Sequence, residues 1–204
     1  MPISRAFSIA VLALAVVLLP GCAPTVPPTP TPSGTAATPT TTPTPRPTPT
    51  TPEPVDPPAS ADEAIAQAID TIDQYMLLRS EVYADPSGQH DVAALAGGAA
   101  EIRLRDEASQ LAAQGIHAEG QFRFETTSGQ ASEAVVDGTA IPFGTVTLDG
   151  CYDSSEVELL YTDGGPVPVA EDRRVRFQPV LVYRPTTQSW IVFDTPSPTE
   201  PESC

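Results

Sequence analysis

Four patterns of apolar and polar residues succeed one another along the chain. Ala6 to Leu19 is an apolar run behind the single charge of Arg5. From Ala23 to Pro58 almost every residue is Pro, Thr, Ser, Ala or Gly, and no apolar periodicity exists. Apolar positions then recur at helical spacing, as Ile65, Ile69, Ile72, Met76 and Tyr83. After Gly115 the period falls to two: Ile116, Ala118, Gly120, Phe122 and Phe124 alternate with His117, Glu119, Gln121, Arg123 and Glu125, which predicts a strand with one dry and one wet face.

These patterns predict an order of elements. Ser60 and Glu63 form a Ser-x-x-Glu capping box that opens a helix running to about Tyr83, and Asp85-Pro86-Ser87-Gly88 closes it because the residue before proline is driven out of helical geometry. A short helix is expected over Asp91 to Ala96. A longer one is expected over Ala99 to Gln114, with Glu101–Arg105 and Arg103–Glu107 as i,i+4 pairs and Gly115 as its C-terminal cap. Beyond the strand at Ile116 to Glu125, further strands are expected at Ala131 to Val136, Gly144 to Asp153, Glu156 to Thr162, Arg174 to Tyr183 and Ser189 to Asp194. Turns at Asp137-Gly138, Asp163-Gly164-Gly165 and Pro185 to Gln188 separate them. Helices first and an antiparallel meander afterwards is an α+β fold, with the helices on one face of the sheet.

The apolar run at the start, about 14 residues, falls short of the roughly 20 that a spanning helix needs. It ends in Leu19-Pro20-Gly21-Cys22, and a charge, a short apolar stretch and a small residue before cysteine is the layout of a processed export signal. These residues resemble the bacterial lipobox, although Pro20 departs from its usual small residue. The resemblance implies cleavage before Cys22 and acylation of that cysteine, which tethers the protein to a membrane through lipid. Residues 1–21 are then signal peptide, 22–60 an acylated stalk, 61–195 the folded domain and 196–204 a tail. The Thr/Pro stalk favours extended polyproline geometry, with a reach near 100 Å at about 3.1 Å per residue, and its threonines suit O-glycosylation.

Composition narrows the partners. The chain of 204 residues carries a net charge of -16, and clustered cations of the kind that nucleic acid requires are missing. Neither Lys nor Asn occurs, so every fixed cation is Arg; both absent residues have A-rich codons, which points to a GC-rich genome of the actinobacterial kind. The expected location is the outer face of the cytoplasmic membrane. Of the three cysteines, Cys22 is consumed by lipid, leaving Cys151 and Cys204 either as a disulfide or as two separate thiols.

Helix one, the shorter helices and a curved sheet ending in Trp190-Ile191-Val192-Phe193-Asp194 resemble the NTF2-like (cystatin-like cone) superfamily. The segments that carry the likeness are Tyr83 to Pro86, Gly97-Gly98, Thr145 to Cys151 and Trp190 to Val192. The resemblance implies a cone whose inward Asp, His or Tyr would carry any acid–base chemistry. His117 shares the wet face with Glu119 and Arg123, and His90 sits in a loop. Tyr75, Tyr83, Tyr152, Tyr161 and Tyr183 read as core residues. Asp194 is the catalytic candidate, on condition that it points inward and is desolvated. Asp149, Asp153, Glu156 and Glu158 read as solvated acid and not as a calcium site. Arg173, Arg174 and Arg176 read as charge along an exposed strand edge. No cofactor or metal motif is present. Three functions follow: a non-enzymatic module binding a small apolar ligand or another envelope protein, an isomerase- or dehydratase-like enzyme, and a spacer or assembly subunit that could form a homodimer through the sheet face.

Overall fold

The structure, a computed structural model, describes residues 48–50, 52–196 and 202–204. The export signal, Cys22 and the stalk to residue 47 lie outside the described residues. The fold is α+β, as expected, and no described helix is long and apolar enough to cross a membrane.

Helix α1, Ala61–Ala84, begins where the capping box places it. The Glu63 N–H donates to Ser60 Oγ at 3.2 Å, and the Glu63 carboxylate accepts from the Ala59 N–H at 2.9 Å, one residue before the cap. Asp85, at φ -133° and ψ 77°, ends it. The buried stripe runs through Ala64, Ala68, Ile72, Tyr75, Met76, Leu78 and Val82, slightly rotated from the stripe read off the isoleucines. Ile65, Ile69 and Tyr83 are half-buried at its margin. The expected helix over Asp91 to Ala96 is one 3-10 turn, Val92–Ala94. Helix α2, Gly98–Gln114, stops at Gly115, whose φ of 63° and ψ of 39° is the left-handed cap that favours glycine.

Seven strands follow: β1 Ile116–Glu119, β2 Arg123–Val136, β3 Thr139–Asp153, β4 Glu158–Tyr161, β5 Arg174–Phe177, β6 Val180–Arg184 and β7 Ser189–Asp194. The strand expected over Ile116 to Glu125 is cut in two. Gly120 has φ 94°, and a Cβ there would stand 1.8 Å from the Glu156 carbonyl oxygen, so the backbone turns aside at that approach. In consequence β1 pairs with β4 in a small sheet of its own, while β2 pairs with β3. The segment Ala131 to Val136 is only the distal half of β2, and β3 begins at Thr139, directly after the Asp137-Gly138 turn with φ 50° and 79°. The strand expected over Arg174 to Tyr183 is also divided. Pro179, which has no N–H for a ladder, separates β5 from β6, and both halves run along the same edge of β3. The larger sheet has the order β2-β3-β6-β7, with β5 beside the far end of β3.

Helix α1 packs on β2, β3 and β7. The core lies between them and includes Ile72, Tyr75, Leu104, Val146, Leu148, Leu181, Tyr183, Trp190 and Val192. Both ends of the domain are fastened to it. The end of the expected stalk docks: the Val55 N–H donates to Gln188 O at 2.7 Å, the Tyr183 hydroxyl donates to Val55 O at 2.8 Å, and Pro58 is buried. At the other end, Cys204 is bonded to Cys151 across a sequence separation of 53. The expected tail is therefore partly structured, with Ser203 opposite Val175 and the Arg176 N–H donating to Glu202 O at 2.8 Å.

Candidate functional site

Tyr75, Arg79 and Tyr83 stand four residues apart on α1 and so line one face of it. Arg79 is turned inward. Its Nη2 donates to the Tyr83 hydroxyl at 2.7 Å and pairs with Glu107 of α2 at 2.9 Å, and the Tyr83 hydroxyl donates to the same Glu107 oxygen at 2.9 Å. The guanidinium carbon lies 4.8 Å from the ring centre of Tyr83, 5.3 Å from that of Phe122 and 5.7 Å from that of Tyr152. Helix one thus supplies the cation, helix two the carboxylate, and the sheet the aromatic walls. A planar cation that lies against aromatic rings while it donates at its edge is what arginine supplies and lysine does not.

The electrostatics follow from this enclosure. Burial works against the charge on Arg79, yet Tyr152, Tyr83 and Glu107 together hold its pKa above the ordinary arginine value. Burial pushes the phenols of Tyr75, Tyr83 and Tyr152 up, so all three are neutral donors. The Tyr75 side chain is 1 % exposed and its hydroxyl has no hydrogen-bond partner within the protein. Arg79 acts on it both through its charge and through a side-chain interaction looser than a full hydrogen bond, and each draws the raised phenol pKa back down.

Two small cavities flank the Tyr152 ring. One, about 110 Å³, is bounded by Tyr75, Met76, Arg79, Arg103, Glu107 and Phe177 as well as Tyr152. The other, about 140 Å³, lies against Tyr83, Phe122 and Leu159 beneath the loop carrying Val169 and Arg173. Arg173 fixes that loop by donating to the carbonyls of Ser154 and Val157. A wider groove of about 320 Å³ separates the docked segment at Thr50 to Val55 from α1, with Trp190 at its floor. The Trp190 indole N–H donates to Gln67 Oε1 at 2.8 Å.

The residues singled out from the sequence are placed variously. Asp194, at the end of β7, is divided: its side chain is 40 % exposed, while its Oδ1 is buried without a hydrogen-bond partner, 3.7 Å from Arg103. Tyr183 is a core residue, as expected, but Tyr161 is 40 % exposed, because β4 belongs to the small sheet and offers only its other residues to the interior. His117 is half-buried, and His90 Nε2 bonds the Asp85 carbonyl oxygen at 2.8 Å. Asp149 is gripped by Arg176 through two bonds of 3.1 and 2.7 Å; Asp153 and Glu125 share Arg174, and Glu156 takes Arg123. The Arg174 and Arg176 side chains on β5 are about half exposed, but the backbone edge of that strand is not open as expected, since residues 202–204 pair with it. Sequence reasoning missed Arg79 altogether and took Glu107 as the partner of Arg103. The signal that was present is an arginine in step with two tyrosines on an otherwise apolar stripe.

No family model and no curated protein matches the chain. Among solved structures it is similar to the intermembrane-space region of the chloroplast protein ARC6, at 13% identity and a TM-score of 0.39, over 68% of this chain and 96% of that one.

Proposed function

We propose that the chain is a lipid-anchored envelope protein of the outer face of the cytoplasmic membrane, displaying an NTF2-like cone domain that binds a small ligand without transforming it. The observation that carries the binding reading is the pair of small cavities on either side of Tyr152. Sites of this kind combine apolar walls with a few placed polar groups. The isomerase or dehydratase reading required a desolvated Asp194, and the half-exposed carboxylate beside Arg103 gives it no support.

Anchoring rests on the lipobox-like Leu19 to Cys22. If the stalk runs from Cys22 to the first docked residue, Thr50, about 28 residues at about 3.1 Å each set a reach near 90 Å, shorter than the sequence alone suggests. The test is detergent-phase partitioning of the full chain made in a GC-rich Gram-positive host. The wild type should enter the detergent phase, and Cys22→Ala should not. Equal partitioning of the two would remove the lipid anchor from the account.

A further inference from the structure

Acids outnumber cations 26 to 10 in this chain, so an arginine without a carboxylate beside it is unexpected. Among the described residues Arg79, Arg103, Arg105, Arg123, Arg174 and Arg176 each make an ion pair. Arg173 and Arg184 make none. Arg184 leans on the Ala93 carbonyl at 3.5 Å with its Nε buried. Arg173 is placed differently. Its Nη2 donates to the carbonyls of Ser154 and Val157, and its own carbonyl accepts from the Ser154 N–H at 2.9 Å and from Ser154 Oγ at 3.2 Å, so backbone and guanidinium are both fixed. Nε and Nη1 bond nothing within the protein, yet neither is among the buried atoms left without a partner; both are open to solvent. The acids that flank Ser154 and Val157 do not answer the charge, because Asp153 is held by Arg174 and Glu156 by Arg123.

This arginine stands in the wall of the cavity of about 140 Å³, where the exposed Val169 and Ala170 mark the mouth. The inner walls are apolar or aromatic. Tyr83 and Phe122 meet edge to face with ring centres 4.9 Å apart, and Phe122 stacks with Tyr152 at 5.6 Å, so the rings form one fixed surface, completed by Val157 and Leu159. An apolar cavity of about 150 Å³ is room enough for benzene. Asp172, also in the wall, makes no ion pair with Arg173 and accepts from the Ser203 hydroxyl; a second negative charge on a ligand would meet it.

We propose that this cavity binds a small organic monocarboxylate, its single ring or short branched chain lying against Tyr83, Phe122 and Tyr152 and its carboxylate accepting from Nε or Nη1 of Arg173. A neutral apolar molecule would fill the walls and leave the cation unanswered, and a bare anion would leave the walls empty. Hydrogen bonds between two charged groups are roughly twice as strong as neutral ones, and here the donor is held in place before the ligand arrives. This rests on the reading of the domain as a binding module and adds the site and the ligand chemistry.

The test titrates the full chain in detergent micelles by two-dimensional amide NMR, with affinities referred to the free aqueous concentration of each probe. Benzoate is the probe, benzyl alcohol the ring without charge, acetate the charge without the ring, and terephthalate the ring with a second charge. Benzoate should shift the Val169, Ala170 and Arg173 amides saturably, and each of the other three should bind at least about tenfold more weakly. Arg173→Gln should weaken benzoate by a similar factor and leave benzyl alcohol unchanged. The comparison of probes on the wild type stands without the variant, should the variant disturb the loop. Benzyl alcohol, acetate or terephthalate binding as tightly as benzoate, no saturable shift of those amides, or indifference to Arg173→Gln would each overturn the inference. Benzoate saturating the Trp190 groove or the cavity beside Arg103 instead would overturn it while leaving the binding-module reading standing; no saturable binding of any probe would count against both.

Discussion

Replacing Tyr75 by phenylalanine should stabilise the protein. The ring is buried among core residues and stays in place, so no cavity is created and only the hydroxyl is lost. That hydroxyl has no partner within the protein, and burying an unpaired polar group costs about 1–3 kcal/mol. Its proximity to Arg79 returns part of this, because the phenol dipole can orient toward the charge. The expected gain is therefore near the lower bound, about 1 kcal/mol, or roughly 3–4 °C in Tm for a domain of this size. Urea denaturation followed by circular dichroism, with wild type and variant side by side, measures it; an unchanged slope would show that the midpoint shift reports stability alone. A loss of more than about 1 kcal/mol would refute the reasoning, since it would mean that the hydroxyl is well bonded in the folded protein.

Reduction of Cys151–Cys204 should destabilise the protein by up to about 4 kcal/mol, the chain-entropy value for a loop closed at a separation of 53, and hydrogen exchange of the Arg176 amide, now bonded to Glu202 O, should accelerate. Protection unchanged on reduction would show that residues 202–204 hold their place without the bond. Gly120→Ala should cost more than about 3 kcal/mol, because its Cβ would meet the Glu156 backbone at 1.8 Å while φ stays at 94°; a variant with wild-type Tm would contradict the close approach of β1 to β4. Four of the five tyrosines, Tyr75, Tyr83, Tyr152 and Tyr183, have raised pKa values, each chiefly through burial. Their contribution to stability is present below the unfolded value of about 10 and is lost as pH rises through the folded values, so near-ultraviolet titration should show most phenols ionising only as the protein unfolds. On the acid side the sign reverses: the hydrogen bond from Arg176 lowers Asp149 and that from Ser155 lowers Asp153, so their contribution is present above about pH 4 and lost below it. A Tm that held constant down to pH 2 would contradict this.

Features whose cause is local were legible in the sequence. The capping box at Ser60 and Glu63, the stop at Asp85-Pro86, the glycine cap at Gly115 and the Asp137-Gly138 turn each depend on neighbours within a few residues, and each is where the pattern puts it. Features whose cause is distant were not. The alternation through Ile116 to Phe124 has no break of its own; the break at Gly120 comes from the backbone of Glu156. Residues 125–133 of β2 are mostly polar because one face of that stretch meets water, which hid a continuous strand. The stalk looked free to Pro58 because nothing in a Thr/Pro run announces that Val55 meets Tyr183 and Gln188. The site is the extreme case. Tyr75, Arg79 and Tyr83 were visible in register, but their meaning required Glu107 from a second helix and rings from two strands.

The most direct test of a lipid-anchored binding module is the intact mass of the full chain extracted from its own membrane, taken first under native and then under denaturing conditions. The account predicts a chain that starts at Cys22, carries acyl groups, lacks the two hydrogens of a Cys151–Cys204 pair, and holds under native conditions a small bound mass that denaturation releases. A chain that still begins at Met1, or one without acyl groups and with nothing bound, would contradict it.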